Sequence, residues 1–285
     1  MDQRPIAAIM YDFDRTLSPK NMQEYGAIPG TGLSADEFWR RCNETMKKHS
    51  MDPILAYMFV LMQSARGKML LTRDVFFKLG ASVQLFPGVE TFFKRVNAYG
   101  DRLGLDVEHY IISSGQKEII EGTSIAGEFK KIYAAEFCYD ADNVPVWPAM
   151  AVNYTSKTQF LFRINKGVLD ETEHDALNES TPEDERRVPF DSMIYIGDGL
   201  TDVPCMKLLK GYGGHSIAVY EDEPDELVAK MLIQGRVDYI LRADYSEKSQ
   251  MEKTVFAILD RIIADKRIED IRRGHDRIAR RVIEK

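Results

Sequence analysis

The feature that most restricts the fold of this 285-residue chain is a set of short apolar runs separated by longer segments with helical spacing. Several runs are rich in β-branched residues and end at Gly, Ser or Asp, which is typical of strands buried on both faces of a sheet. The runs span residues 6–11, 110–112, 193–196, 217–220 and 237–241. Because helical segments such as 89–96 and 203–209 lie between them, the sequence predicts an α/β fold with a doubly wound parallel sheet.

Residues 19–85 interrupt this alternation. They contain no convincing strand and carry periodic runs rich in aromatic residues and methionine, which predicts an inserted helical unit. The chain is expected to divide into an α/β core, residues 1–18 and 86–285, and a helical domain, residues 19–85.

Two further segments depart from the strand and helix pattern. A turn-forming sequence at 140–143 separates apolar runs at 134–139 and 144–151, which predicts a hairpin. Residues 169–189 are acidic and lack apolar periodicity, so an exposed loop is expected there.

The composition excludes several classes of function. With 44% hydrophobic and 29% charged residues and no apolar stretch near the roughly 20 residues that span a bilayer, the chain is predicted not to be a membrane protein. A net charge of -7 gives no general attraction to nucleic acid or to anionic membranes. The apolar run near the first residue is too short for a secretory signal. Cys42, Cys138 and Cys205 are widely separated and show no spacing typical of disulfide pairs or metal ligands. We therefore expect a cytoplasmic protein whose cysteines are packing residues.

The C-terminal segment is predicted to form an amphipathic helix. Its apolar residues recur at helical spacing at Val255, Ile258, Leu259, Ile262 and Ile263. This stripe is expected to pack on the core, and a homodimer contact through the helix is the alternative. The basic segment 266–285 alternates in charge, which favours a solvated helix face over an arm that binds nucleic acid.

Candidate chemistry begins with Asp12 and Asp14, which follow the first predicted strand. Their spacing places both carboxylates on one side of an extended chain, at the carboxyl end of a strand where open α/β sheets have their sites. Close carboxylates repel one another unless a cation compensates, so the pair suggests a metal site. Taken alone, the two residues are also compatible with ordinary acids in a turn.

Two weaker signals follow along the chain. Ser113, Ser114 and Gly115 come directly after the second strand and allow backbone N–H groups to approach an anion. Lys157 stands at the start of a predicted helix, where a cation opposes the helix dipole unless it has an anionic partner. Lys166, at the far end of that helix, is the poorer candidate.

The fourth signal is the sequence around Asp198 and Asp202. A buried strand delivers Asp198 at its tip between two glycines, and Asp202 opens the next helix. Helix capping accounts for Asp202 but not for Asp198 at the tip of the strand. The acidic residues at the two strand ends are therefore expected to belong to one site.

Together these motifs resemble the haloacid dehalogenase-like hydrolases, and the phosphoserine-phosphatase-like subgroup is the nearest comparison. That family has an Asp-x-Asp-x-Thr strand end, a Ser or Thr, a Lys and a Gly-Asp-x-x-x-Asp strand end in this order. The residues that fit are Asp12, Asp14, Thr16, Ser113, Lys157, Asp198 and Asp202.

The resemblance implies a phosphatase that acts on a small phosphorylated metabolite. Asp12 would attack phosphorus, and Asp14 would protonate the leaving oxygen and later activate water. Ser113 and Lys157 would hold the phosphoryl oxygens, with Thr16, Ser114 and Gly115 beside them. Mg²⁺ would be held by three groups, namely the Asp12 carboxylate, the main-chain carbonyl of Asp14, and Asp198. Asp202 would orient waters or Lys157.

Asp14 also separates reactions within the family, because halide departure needs no proton whereas an alkoxide leaving group does. A phosphomutase or phosphotransferase, or a binding protein that has lost the chemistry, remains an alternative. Arg15 and Thr201 depart from the family pattern, which leaves the role of Arg15 open. The resemblance further implies that residues 19–85 form a helical cap. Its charged candidates for substrate recognition are Glu24, Arg40, Arg41, Arg66 and Arg73.

Overall fold

The computed structural model describes residues 4–284 and contains one seven-stranded sheet with the order β4-β3-β2-β1-β5-β6-β7. All neighbouring strands are parallel except β4, which runs antiparallel to β3. This arrangement confirms the α/β fold, the five predicted strands and the predicted hairpin. The strands are β1 (Ile6–Tyr11), β2 (Asp106–Gln116), β3 (Lys131–Tyr139), β4 (Pro145–Met150), β5 (Met193–Gly197), β6 (His215–Tyr220) and β7 (Tyr239–Arg242).

Helices cover both faces of the sheet. Because side chains alternate along β1, Ile9 and Tyr11 belong to one apolar cluster, while Ala8 and Met10 belong to the cluster on the opposite face. The helices are α1 (Ala27–Gly30), α2 (Ala35–His49), α3 (Pro53–Ala65), α4 (Arg73–Gly80), α5 (Val89–Leu103), α6 (Lys117–Glu121), α7 (Lys157–Lys166), α8 (His174–Asn178), α9 (Val203–Gly211), α10 (Glu226–Ile233) and α11 (Gln250–Ile283).

The register of the central strands determines where a site can form. Tyr11 at the end of β1 lies opposite Ile111 of β2 and Ile196 of β5. The order of the sheet reverses at β1, because β2 lies on one side of it and β5 on the other. Ligands of open α/β sheets bind outside the carboxyl ends of strands at such a reversal point.

The segment 19–85, which lies between β1 and α5, is helical, as the sequence predicts, and contributes α1 to α4. Side chains that accept a hydrogen bond from a first-turn N–H begin its three longer helices: Ser34 for α2, Asp52 for α3 and Thr72 for α4. The two ends of the segment meet, since the N–H of Phe86 donates to the carbonyl of Leu17 at 2.9 Å. We refer to residues 19–85 as the insertion.

Two sequence-based expectations are corrected. The segment 169–189 is not a plain loop but contains α8 and a 3₁₀ turn at Glu183–Glu185. The buried side chain of Arg163 fixes this segment by donating to the carbonyls of Asp170, Glu171 and Glu173, a contact that apolar periodicity cannot reveal. Cys138 is exposed on β3, so it is not a packing residue, whereas Cys42 and Cys205 are buried as expected.

The C-terminal helix α11 has two unlike halves. The predicted stripe from Val255 to Ile263 is buried against the core, which confirms the prediction. Beyond it the apolar residues Ile268, Ile271 and Ile278 are more than 60% exposed. Within residues 4–284, no helix has the length and the apolar character that crossing a membrane requires.

Candidate active site

Asp12 and Asp14 lie in the turn that follows β1. The N–H of Asp12 donates to the carbonyl of Ile196 at 2.9 Å, which fixes this aspartate beside the end of β5. The carbonyl of Phe13 then accepts from the three N–H groups of residues 16–18, which closes the chain into a tight turn. The Oδ1 atom of Asp14 accepts from the N–H of Met22 at 2.7 Å, so the second carboxylate is directed toward the insertion.

Arg15 occupies the middle of this turn with φ of 57°, in the left-handed region that few non-glycine residues adopt. Its side chain is exposed, and its charge lowers the pKa of Asp198 against the larger opposing effects of burial and neighbouring carboxylates. The turn therefore places Arg15 near the rim of the site.

Lys157 is the first residue of α7 and is fully buried. Its Nζ atom lies 3.0 Å from Oδ2 of Asp12 and 2.7 Å from Oδ1 of Asp202. Burial alone would lower the pKa of this lysine, but Asp12 and then Asp202 raise it well above its usual range, so Lys157 is a cation. The anionic partner that a lysine at a helix start requires is thus present. Lys166 instead donates to the carbonyls of Leu177 and Glu179, away from this cluster.

Asp202 is completely buried and makes several contacts that fix its carboxylate. Tyr195 donates to Oδ1 at 2.7 Å, and the N–H of Gly199 donates to Oδ2 at 3.2 Å. A Cβ atom at Gly197 would lie 2.5 Å from the Asp202 carboxyl carbon, so only glycine leaves room for this approach. Asp198 is half-buried at the tip of β5.

Three of the predicted aspartates converge. One carboxylate oxygen from each of Asp12, Asp198 and Asp202 lies within 4.8 Å of the others. An all-oxygen donor set of this kind suits a hard divalent cation such as Mg²⁺. The carboxylate of Asp14 is outside this group, and the part of its main-chain carbonyl in metal binding stays a prediction.

The carboxylates have unusual proton affinity. Burial raises the pKa of Asp12 from 3.8 to about 6, although Lys157 opposes the rise. Burial, and then the charges of Asp202 and Asp12, raise the pKa of Asp198 from 3.8 to about 8. Burial first and Asp12 second raise the pKa of Asp14 well above its usual range. The four aspartates carry more negative charge than Lys157 offsets, so the site favours binding of a cation or of protons.

Ser113, Ser114 and Gly115 lie within β2, which extends to Gln116, and not after the strand as the sequence predicts. Ser113 is buried and its Oγ accepts from the N–H of Gly115 at 3.0 Å. The hydroxyl of Ser114 is used elsewhere, since it donates to the carbonyl of Val152 at 2.7 Å. Thr16 is also buried, and its Oγ1 has no hydrogen-bond partner among the described residues. A Cβ atom at Gly115 would lie 2.8 Å from Sδ of Met22, so glycine allows the insertion to approach.

Several residues at the site were not predicted from the sequence. Tyr195, which binds Asp202, follows the alternation of β5, and its place two residues before the glycine was an available signal. Tyr245 donates from its buried hydroxyl to the carbonyl of Thr16 at 2.8 Å across 229 positions, which no local pattern indicates. Gln23 and Tyr57 of the insertion lie near Asp14 in a common pocket.

The charged candidates of the insertion do not line that pocket, whose lining includes Trp39 and Tyr57. Arg40 and Arg41 both pair with Glu37 on the exposed side of α2. Glu24 accepts from Asn21 and Trp39. Of the remaining two candidates, Arg66 is exposed and Arg73 pairs with Glu136.

Comparison with known proteins agrees with this geometry. Residues 9–207 match the family model described as haloacid dehalogenase-like hydrolase. An uncharacterized protein from Borreliella burgdorferi is 27% identical over 279 residues, covering 88% of this chain and 95% of the relative.

Solved structures share the fold at low identity. A HAD family hydrolase from Salmonella enterica serovar Typhi has a TM-score of 0.57 and 15% identity, covering 90% of this chain and 73% of that one. A substrate-bound phosphoserine phosphatase has a TM-score of 0.54 and 13% identity, covering 84% of this chain and 93% of that one. A probable phosphoserine phosphatase from Vibrio cholerae has a TM-score of 0.56 and 10% identity, covering 92% and 67%.

Proposed function

We propose, from the premise that this chain belongs to the haloacid dehalogenase-like hydrolase family and is an enzyme of the phosphatase type, that it hydrolyses a small phosphate monoester through Asp12. The observation that carries the proposal is the buried contact of Lys157 with Asp12 at the tip of β1. A carboxylate attacks an anionic phosphate only where cations offset the repulsion, and Lys157 supplies one beside the carboxylate that would react.

In the proposed first step, a carboxylate oxygen of Asp12 forms a bond to phosphorus while the bond from phosphorus to the ester oxygen breaks. The proton of Asp14 passes to the leaving oxygen, and burial, followed by the charge of Asp12, raises the pKa of Asp14, which favours its protonated form. In the second step water attacks phosphorus, gives its proton to Asp14 and releases phosphate, which restores the carboxylate of Asp12.

The phosphoryl oxygens would be held by Lys157 and by the hydroxyl of Ser113. Ser113 is preferred over Ser114 because the latter already donates to a backbone carbonyl. Thr16 has a buried hydroxyl without a partner among residues 4–284, which suits a second donor to the same anion. Gly115 has no side chain that would keep neighbouring backbone N–H groups away from the phosphoryl oxygens.

The residues present fit the implied magnesium ion, because Asp12 and Asp198 contribute oxygen donors to a cluster with excess negative charge. The Asp14 carbonyl would complete the protein ligands, and Asp202 would hold Lys157 and ordered water. When bound, Mg²⁺ would supply positive charge that offsets the developing charge on the phosphoryl oxygens.

We also propose the domain division made from the sequence, with residues 19–85 as a cap over a core of residues 1–18 and 86–285. Small phosphorylated metabolites suit a site that a cap covers.

The homodimer through α11 stays a prediction, which the exposed Ile268, Ile271 and Ile278 support. Light scattering of the intact chain and of a chain ending at residue 264 would test it. The cytoplasmic location and the absence of nucleic-acid and membrane partners also stay predictions.

The experiment that tests the proposed function is hydrolysis of an aryl phosphate with Mg²⁺, with excess chelator, and with Mg²⁺ restored. We expect phosphate release that stops in chelator and returns with the metal. Full activity in chelator would overturn the metal assignment. Binding of vanadate or another phosphate analogue without turnover would instead favour a binding protein that has lost the chemistry.

A further inference from the structure

The insertion and the core enclose a pocket of about 190 Å³ that opens from Asp14. Its apolar lining includes Met46, Ile54 and the rings of Trp39 and Tyr57, which pack edge to face with centroids 6.2 Å apart. Because Asp14, the proposed proton donor to the ester oxygen, is one of the residues that line the pocket, the part of a substrate beyond that oxygen would extend into it. Its volume suits a leaving group of a few carbon atoms.

The pocket is almost free of charge. Among the described residues that line it, Asp14 is the only ionisable acid, and no lysine or arginine is present. Two cations of the insertion, Arg40 and Arg41, pair instead with Glu37 on the exposed side of α2. A carboxylate or a zwitterion placed here would lose its water without gaining an opposite charge, which is unfavourable.

One buried polar atom in the pocket lining, Oε1 of Gln23, has no hydrogen-bond partner among the described residues. Gln23 is 2% exposed. Buried polar atoms are normally hydrogen-bonded, so an unpaired acceptor in a pocket wall indicates a donor that arrives with the ligand. A side-chain amide offers an acceptor and donors but no charge, which suits a hydroxyl group.

We propose that the natural substrate is a phosphate ester of a small uncharged alcohol that carries a further hydroxyl group, and that Gln23 binds this hydroxyl. The inference rests on the proposed function. It differs from the activity named for the phosphoserine phosphatases of similar fold, because the leaving group of phosphoserine is a zwitterion.

The test compares four esters in the presence of Mg²⁺: glycerol phosphate, propyl phosphate, O-phosphoserine and phosphoethanolamine. The leaving group of the first carries hydroxyls, that of the second is apolar, and those of the last two are charged. We expect kcat/KM for glycerol phosphate to exceed each of the others by about tenfold or more. If O-phosphoserine or phosphoethanolamine is hydrolysed best, the inference fails and the proposed function stands. If no ester and no aryl phosphate is hydrolysed, the proposed function fails.

The role of Gln23 is tested with Gln23→Leu, which keeps the volume and removes the polar atoms. The matched control is Gln63→Leu on the exposed side of α3. We expect Gln23→Leu to reduce the ratio of kcat/KM for glycerol phosphate over propyl phosphate by about tenfold, and the control to leave the ratio unchanged. An unchanged ratio in Gln23→Leu would overturn the assignment. If the leucine variant does not fold, Gln23→Met, which also lacks the amide, provides a second variant with the same expected loss.

Discussion

The site has two walls that differ in chemistry and in the way their side chains are fixed. The core wall, formed by Asp12, Lys157, Asp198 and Asp202 at the strand ends, is charged and held by ion pairs of 2.7 and 3.0 Å. The insertion wall, formed by Gln23, Trp39 and Tyr57, is uncharged and held by aromatic packing. A buried charged network tolerates few substitutions, because replacing one member leaves its partner as an unpaired buried charge. A packed apolar wall tolerates apolar substitutions that conserve volume.

This difference suggests that the reaction and its selectivity are separable properties of the molecule. Every residue proposed to act on phosphorus lies outside residues 19–85, and the pocket beside Asp14 draws most of its lining from within that range. Binding energy from the remote part of a substrate accelerates chemistry only when the closed site uses it in the transition state. Damage to the core wall should therefore stop turnover of all esters, whereas damage to the insertion wall should change their ranking.

The largest effect is expected from Asp12→Asn in the core wall. The amide keeps the size of the carboxylate but cannot attack phosphorus, so turnover of every ester should fall by about four orders of magnitude or more. Phosphate release is the measurement, with circular dichroism to verify the fold. Asp36→Asn, at an exposed position on α2, is the matched control and should retain full activity. Near-normal turnover in Asp12→Asn would mean that another group is the nucleophile.

Lys157→Ala should have the next largest effect, because it leaves Asp12 and Asp202 without their buried cation. We expect turnover to fall by about two to three orders of magnitude and the free energy of unfolding to fall by about 3–5 kcal/mol. Lys166→Ala, at the opposite end of α7, should alter turnover little. Steady-state kinetics and urea denaturation of both variants provide the comparison. Equal losses of turnover in the two variants would remove Lys157 from the proposed mechanism.

Replacement of residues 19–85 by a short linker tests the insertion wall. The linker is geometrically feasible because Leu17 and Phe86 are hydrogen-bonded neighbours. Slow hydrolysis of an aryl phosphate should survive, while the preference among esters should fall by on the order of tenfold to a hundredfold. Relative kcat/KM values of a folded, soluble variant are the measurement. Trp39→Ala makes the same test within the intact chain, and a preference unchanged in both would place selectivity in the core.

The smallest effect concerns pH and stability of the metal-free protein. The folded-state pKa values of Asp12 (about 6) and Asp198 (about 8) lie above the ordinary 3.8. The stability that proton binding contributes is therefore complete below about pH 4 and is lost as pH rises toward 8. Mg²⁺ competes with these protons, so its addition should raise Tm by several degrees more at pH 8 than at pH 5.

Comparing the rise in Tm on addition of Mg²⁺ at the two pH values separates the aspartate cluster from other titrating groups. The buried His109, whose pKa is lowered to about 3, contributes equally with and without metal. Asp198→Asn is the control and should reduce the difference between the two increments. A Tm increment that is larger at pH 5 would contradict the assignment of Mg²⁺ to these carboxylates.

Much of the core wall was predictable because its residues occur at strand ends, and strands can be read from local apolar runs. Asp12 and Asp198 follow β1 and β5 directly, and parallel strands bring their carboxyl ends to one edge of the sheet. The preference for Lys157 over Lys166 also followed from the sequence, since a lysine at a helix start requires an anion. The roles of these residues in catalysis remain predictions.

The insertion wall was not predictable in the same way. The sequence determined that residues 19–85 are helical, and it supplied five charged candidates for substrate recognition, Glu24, Arg40, Arg41, Arg66 and Arg73. Helical periodicity determines which residues share a face of one helix, but not how that face is directed toward another element. Only the tertiary structure kept those five charged residues out of the pocket lining and placed Gln23, whose Oε1 atom has no partner among the described residues, beside Asp14. The contact of Tyr245 with Thr16, across 229 positions, was likewise decided by packing, because local sequence carries no information about such distant pairs.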